Sequence, residues 1–229
     1  MEQLHNGFTL ELCAGSFPLS TDSVALADFV RLPKNAQVLD LGAGCGTLGM
    51  MLLAKDPTCH ITGIEIDPAA HKTALENAKT NRVPDRYQSI CADLRSIAAH
   101  TKAGCFDICV SNPPYFSGGF TSKQHAAARQ ELLCTPEALF SAAAYGLRFG
   151  GDLYIVHKPE RLAQLCACAN AAGLEAKRLR LLRHRPDSPV SLILMQFRKG
   201  GKPGLVWDEL CLYNADGSFS GDYRRLYHL

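Results

Sequence analysis

The feature that most constrains this chain is an alternation. From Gln37 onward, short apolar runs take turns with helical stretches, the pattern of a parallel sheet with helices on both faces. QVLDLG, HITGIEID, YQSICAD, FDICVSN and DLYIVH read as five strands, each short and apolar as doubly covered strands are. Asp67-Pro68 before AAHKTALENAKT, and Thr135-Pro136-Glu137 before ALFSAAAYGL, pair a capping side chain with proline at the first helical position. Gly150-Gly151 breaks the chain before the fifth strand, and PERLAQLCACANAAG ends at Gly173, a suitable C-terminal cap. AKRLRLLRH and VSLILMQFRK follow, joined by RPDSP, a turn long enough only for an antiparallel hairpin. The expectation is an α/β fold of seven strands, a parallel sheet closed by a C-terminal antiparallel hairpin. Right-handed crossovers place the first strand near the middle, with the carboxyl ends of strands one to four around a common crevice.

Composition narrows the setting. A length of 229 residues fits one domain, 1–229, with a short strand (FTLEL) and helix (DSVALADFV, capped by Ser20 to Ser23) as an extension over about 1–36. The turn-rich tail after Gly200 is expected to lie along the surface. A hydrophobic share of 47% and a charged share of 20% fit an ordinary globular protein, and no run suits a signal peptide or a membrane span. A cytoplasmic monomer is expected. The ten cysteines are irregularly spaced with no CxxC pair, which argues against a metal site. Cys91, Cys105, Cys109 and Cys166 fall in apolar runs and read as small buried hydrophobes.

The first strand runs into Asp40-Leu41-Gly42-Ala43-Gly44-Cys45-Gly46, which opens the helical stretch TLGMMLLA. Glycines there let the backbone turn sharply and let a ligand approach main-chain atoms. A dinucleotide fingerprint needs its last glycine where Thr47 stands, so NAD is disfavoured. The GxGxG turn after an acidic residue resembles motif I of the class I S-adenosylmethionine (AdoMet)-dependent methyltransferases. That resemblance implies their Rossmann-like fold and AdoMet as cofactor, bound by Asp40, Gly42, Gly44 and Gly46. Glu65 ends the second strand, where a carboxylate can accept from both ribose hydroxyls. Asp93 ends the third, where an acid can face the adenine amine, with Leu94 flanking the ring.

The sharpest signal is Asn112-Pro113-Pro114-Tyr115 at the end of the fourth strand. Two prolines remove two donors and fix the backbone, so the carbonyls there face something other than a continuing ladder. The Asn112 amide oxygen and the Pro113 carbonyl make a fork for an NH2 group. Such a nitrogen is a poor nucleophile because its lone pair is conjugated, and two acceptors on its hydrogens aim that lone pair and stabilise developing positive charge. Tyr115, with Phe116 beside it, would stack on a flat substrate swung out of its stack. The tetrapeptide resembles the amino-methyltransferase branch of the AdoMet family, which includes adenine N6 enzymes and release-factor glutamine N5 enzymes.

The glutamine enzymes are expected to carry a helical substrate domain ahead of motif I, for which the residues before Asp40 leave no room. Further segments are similar to the bacterial tRNA(Val) adenine-37 N6-methyltransferases. They are NPPYF with nearby glycines, the ARxE stretch Ala128-Arg129-Gln130-Glu131, VHKPERL, RLRLLRHRP, RKGGKPG and LYNADGSFS. Gln130 departs from the histidine of that family's ARHE pattern. The resemblance runs from Phe17 to Phe219 and implies tRNA as substrate, with Arg129 available for phosphate; Ser117 to Lys123, which contains Gly118-Gly119, reads from its own residues as a mobile lid beside the site. Protein glutamine methylation and a non-catalytic RNA-binding role are the alternatives.

Charge placement bears on the same point. The net charge is only +2, yet Lys177, Arg178, Arg180, Arg183, Arg185, Arg198, Lys199 and Lys202 gather against the single acid Asp187. They are expected to form a phosphate-binding rim, with Arg183 and Arg185 as substrate contacts. His157, at the end of the fifth strand, is a further candidate facing the crevice.

Overall fold

The computed structural model describes residues 2–14, 19–113 and 135–228, so Pro114, Tyr115, Phe116, Lys123 and Arg129 lie outside the described residues. A two-stranded antiparallel ribbon, β1 (Glu2–Gln3) and β2 (Thr9–Leu10), precedes helix α1 (Thr21–Phe29). The alternating series follows as β3 (Gln37–Leu41), α2 (Thr47–Lys55), β4 (His60–Glu65), α3 (Pro68–Thr80), β5 (Tyr87–Cys91) and β6 (Phe106–Ser111). After it come α4 (Pro136–Gly146), β7 (Leu147–His157), α5 (Leu162–Ala171), β8 (Leu174–Arg183), β9 (Val190–Lys199), β10 (Val206–Cys211) and α6 (Gly221–Tyr227). Both expected proline-led caps form: the Asp67 side chain accepts from the Ala69 amide, and Thr135 Oγ1 from that of Ala138.

The main sheet has the order β10-β8-β9-β7-β6-β3-β4-β5. β3 to β7 are parallel, and β9 runs antiparallel between β7 and β8, so the five strands and closing hairpin of the sequence reading are present. The chain moves outward through β4 and β5, then returns to the other side of β3 as β6. That reversal opens a crevice at the carboxyl ends of β3 and β6. Period-two alternation sorts the strand side chains into two cores. Tyr154, Val156, Leu182 and Leu194 pack against α1 and α2, while Leu153, Ile155, Ile193 and Met195 pack against α4 and α5.

Three expectations change. The sheet has eight strands, not seven: β10, read as surface tail, pairs in parallel with β8 from Val206↔Arg178 to Cys211↔Arg183. It carries no apolar run because it is an edge strand whose first four residues are exposed. Gly150-Gly151 does not precede the fifth strand but lies within β7, where the register jumps from Phe106↔Leu147 to Ile108↔Asp152. A Cβ on Gly151 would lie 2.9 Å from the Asp107 carbonyl oxygen, so the glycine permits close backbone approach. Of the four cysteines expected to be buried, Cys109 is, Cys166 is half-buried, and Cys91 and Cys105 are exposed near strand or loop ends. Among the described residues, no helix is long and apolar enough to cross a membrane.

Candidate active site

The turn after β3 is built on three left-handed glycines, Gly42 (φ 73), Gly44 (φ 56) and Gly46 (φ 81), a conformation that side-chain-bearing residues rarely adopt. The amides of Gly42 and Ala43 donate to the Ile64 carbonyl at 2.9 and 3.1 Å, fastening the turn to β4. A Cβ on Gly42 or Gly44 would meet nothing within 4 Å, so the upper side of the turn faces open space. Beneath it a Cβ on Gly46 would lie 2.8 Å from Tyr87 Oη, and one on Gly63 3.0 Å from the same atom. The buried ring of Tyr87, from β5, therefore supports the turn from below. Asn77 of α3 holds it from the side, donating to the Cys45 carbonyl at 2.9 Å and exchanging hydrogen bonds with the backbone of Glu11.

The strand-end acids converge on this turn. Glu65 is buried, accepting from the Gly44 amide at 2.7 Å through Oε2 and from the Asp67 amide at 2.8 Å through Oε1. Its carboxylate keeps acceptor capacity beyond these two bonds, since each oxygen carries two lone pairs. Asp40 is 1% exposed, and neither carboxylate oxygen has a partner in hydrogen-bonding geometry. Burial pushes its carboxyl up to about 7 against a nearby pull from the Gly49 amide, and the charge of Glu65 adds to the rise. Asp93 ends β5 as a cap, its carboxylate clasped by the Arg95 guanidinium and accepting from the Arg95 amide, which holds it below the usual carboxylate range. Leu94 is buried in the core between sheet and α4, so little of its surface is left to flank a ligand ring.

At the end of β6, Ser111 Oγ donates to the Leu41 carbonyl at 2.7 Å, joining the two strands that border the crevice. Asn112 follows, half-buried, its Nδ2 donating to Ser23 Oγ at 3.1 Å, and Pro113 is buried. Ser23 belongs to the first turn of α1. In the sequence it reads as part of a helix cap, and nothing local to it marks a partner so distant in the chain. With the donor end of the amide committed to Ser23, Oδ1 is the end that can accept.

Two substrate expectations are corrected. His157 is only 1% exposed, so it does not face the crevice as a contact; its Nδ1 accepts from the Lys158 amide, and burial pushes its pKa down to about 4. The basic rim is neutralised in part, at three of its eight residues. Arg180 pairs with Asp208 and Asp28, Arg183 with Glu209, and Arg198 with Asp152, all acids outside the basic segment. Arg183 also donates to the Ser188 carbonyl at 2.6 Å, whereas Arg185 is exposed.

The family model for the methyltransferase small domain matches residues 21–164, which take in α1, the glycine turn, the three strand-end acids and Asn112. A tRNA1(Val) (adenine(37)-N6)-methyltransferase of Dickeya chrysanthemi is 32% identical, the match covering 91% of this chain and 85% of that one. The chain belongs to this methyltransferase family. A like-named enzyme of Porphyromonas gingivalis is 31% identical over 96% of this chain and 90% of its own. Among solved structures, a predicted O-methyltransferase of Agrobacterium tumefaciens shares the fold with a TM-score of 0.75 at 19% identity, over 91% of this chain and 96% of that one. A Thermus thermophilus 16S rRNA N2 G1207 methyltransferase in complex with AdoMet and guanosine gives 0.58 at 23% identity, over 81% of this chain and 45% of that one. As a member of this methyltransferase family, the chain is an AdoMet-dependent enzyme. The open space above Gly42 and Gly44 and the unpaired buried carboxylate of Asp40 fit a ligand of that kind.

Proposed function

We propose that this methyltransferase acts on N6 of an adenine in RNA, and that the base is adenine 37 in the anticodon loop of a valine tRNA. The observation that carries the reading is the fixed amide of Asn112 at the carboxyl end of β6, beside the glycine turn. The names of relatives matching nine-tenths of the chain support the nucleotide. In this reading Gly42, Gly44 and Gly46 cradle AdoMet, Glu65 accepts from its ribose, Asp93 faces its adenine, and Asp40 lies under the turn. Bound there, AdoMet supplies an electrophilic methyl group.

The chain's own residues prepare the nucleophile. Ser23 fixes the Asn112 amide, whose Oδ1 accepts one hydrogen of the exocyclic amine while the Pro113 carbonyl accepts the other. Held in this way, the nitrogen presents its lone pair in one direction, and the acceptors stabilise the positive charge that grows on it. The methylated amine then releases its extra proton to solvent. Tyr115 supplies a stacking face for the extruded base. The protein is read as one catalytic domain working as a cytoplasmic monomer.

Asn112→Ala is expected to keep AdoMet affinity by calorimetry and to lose roughly 10²- to 10³-fold in kcat, the scale of removing one preorganised partner of a developing charge. Full retained turnover would overturn the mechanism. Nucleoside mass spectrometry of tRNA from a deletion strain should show loss of N6-methyladenosine. Labelling a release factor in place of tRNA would point instead to glutamine.

A further inference from the structure

The segment after β10 holds an aromatic ladder that the catalytic reading does not use. Phe219 and Tyr223 stack with centroids 4.1 Å apart and planes 5° from parallel, and Tyr227 follows Tyr223 at 4.5 Å. Tyr213 adjoins both rings at a tilt, 5.8 Å from Phe219 and 5.6 Å from Tyr223. These rings are not a sealed core: Phe219 is 43% exposed. Leu212 and Leu226 are buried, and Tyr213, Tyr223 and Tyr227 pack half-buried against the same core, so Phe219 is the ring that stands at the surface.

The ladder leads to the candidate active site. Tyr227 Oη is 3.1 Å from Thr21 Oγ1 in the first turn of α1, the turn in which Ser23 holds Asn112. Its charge surroundings favour an anionic chain. Arg185 lies against the turn below Phe219, its Nη2 3.9 Å from where a Cβ on Gly217 would sit, and Arg224 is exposed on α6. Neither arginine has a carboxylate partner among the described residues. Of the nearby acids, Asp222 pairs with Arg225, while Asp216 accepts from the amide and hydroxyl of Ser218 and keeps its charge. Stacked flat rings beside free guanidinium groups are the means by which proteins hold unpaired bases and the phosphates between them.

We infer that an unpaired nucleobase neighbouring the target adenine stacks on the outer face of Phe219, extending the ladder, while Arg185 and Arg224 hold the adjoining phosphates. The inference rests on RNA being the substrate. It makes the C-terminal segment, together with the β8–β9 turn that carries Arg185, the surface that registers the RNA strand over Asn112.

The test compares wild type, Phe219→Ala, Phe219→Leu and Phe219→Trp as full-length proteins, with thermal melts confirming the fold. The probe is a fluorescent anticodon stem-loop RNA, alongside the same RNA with abasic sites flanking the adenine. Alanine and leucine should weaken binding by about 5- to 150-fold, the scale of one lost base stack, whereas tryptophan holds wild-type affinity. Abasic flanks should erase the difference between wild type and Phe219→Ala. Arg185→Ala and Arg224→Ala should each lower the slope of log affinity against log salt by about 0.7. Equal affinity of Phe219→Leu and wild type for the intact loop would overturn the stacking proposal while leaving the RNA reading in place. A wild-type protein that binds AdoMet but neither binds nor methylates the RNA would overturn both.

Discussion

At the scale of single residues, the chemistry depends on how one amide is held. An unconstrained asparagine samples several rotamers and presents either end of its amide, whereas Asn112 has its donor end fixed by Ser23 Oγ at 3.1 Å. Removing that hydroxyl should disturb orientation, not ligand binding. Ser23→Ala is expected to lower kcat by about 2- to 10-fold, the worth of one hydrogen bond, with AdoMet affinity unchanged. Because Ser23 acts through Asn112, the same substitution in an Asn112→Ala background should cost nothing further, which a double-mutant cycle on kcat will show. Additive losses would mean that Ser23 serves some other purpose. The contrast between these two residues also shows what a sequence makes visible. Asn112 is legible because its chemistry is written in four contiguous residues. Ser23 is 89 positions away from it, and only the packing of α1 against the end of the sheet brings them together.

At the scale of elements, strands buried on both faces announce themselves by apolar runs, which makes β3, β4, β6, β7 and β9 legible; the partly buried β5 and β8 are legible only from their place in the alternation and the hairpin. β10 is not, because an exposed edge strand needs no apolar run and takes its place from pairing alone. The glycine turn divides in the same way. Its glycines are visible in the sequence, but the ring that supports them arrives from β5, two crossovers later. Tyr87 explains two further glycines that no motif marks. A Cβ on Gly49 would lie 2.5 Å from Tyr87 Cε2, and one on Gly63 3.0 Å from Tyr87 Oη and 2.9 Å from the Cβ of Ala43. Gly49→Ala should therefore push the ring upward into Gly46, destabilising the fold by about 1–3 kcal/mol and weakening AdoMet binding. Urea denaturation and calorimetry measure the two effects. Combining Gly49→Ala with Tyr87→Leu should recover part of the loss, since the added methyl then meets a smaller side chain. A strictly additive double mutant would show that the ring does not transmit the strain.

At the scale of the whole molecule, the net charge hides both the pairing of Arg180, Arg183 and Arg198 and two buried titrating groups with opposing effects on stability. Asp40 has its carboxyl raised from 3.8 to about 7, so between those values the folded state binds more protons than the unfolded chain. Its contribution is fully present below pH 3.8 and is lost as pH rises towards 7. His157 is lowered from 6.5 to about 4, so in that window the unfolded chain binds more protons, and stability falls as pH falls. The windows overlap, and the wild-type profile should be flat where each group alone would tilt it. Asp40→Asn is expected to uncover the histidine, giving stability that rises from pH 4 to 6.5, and to stabilise the unliganded protein at neutral pH by removing a buried carboxylate. His157→Gln should uncover the opposite tilt, with stability falling as pH rises towards 7. Urea midpoints for the three proteins at pH steps across both windows would separate these slopes. An Asp40→Asn profile parallel to wild type would show that the carboxyl is not raised in the folded state. If the substitution stabilises the protein and also weakens AdoMet binding, the buried carboxylate is a cost to folding that ligand binding offsets.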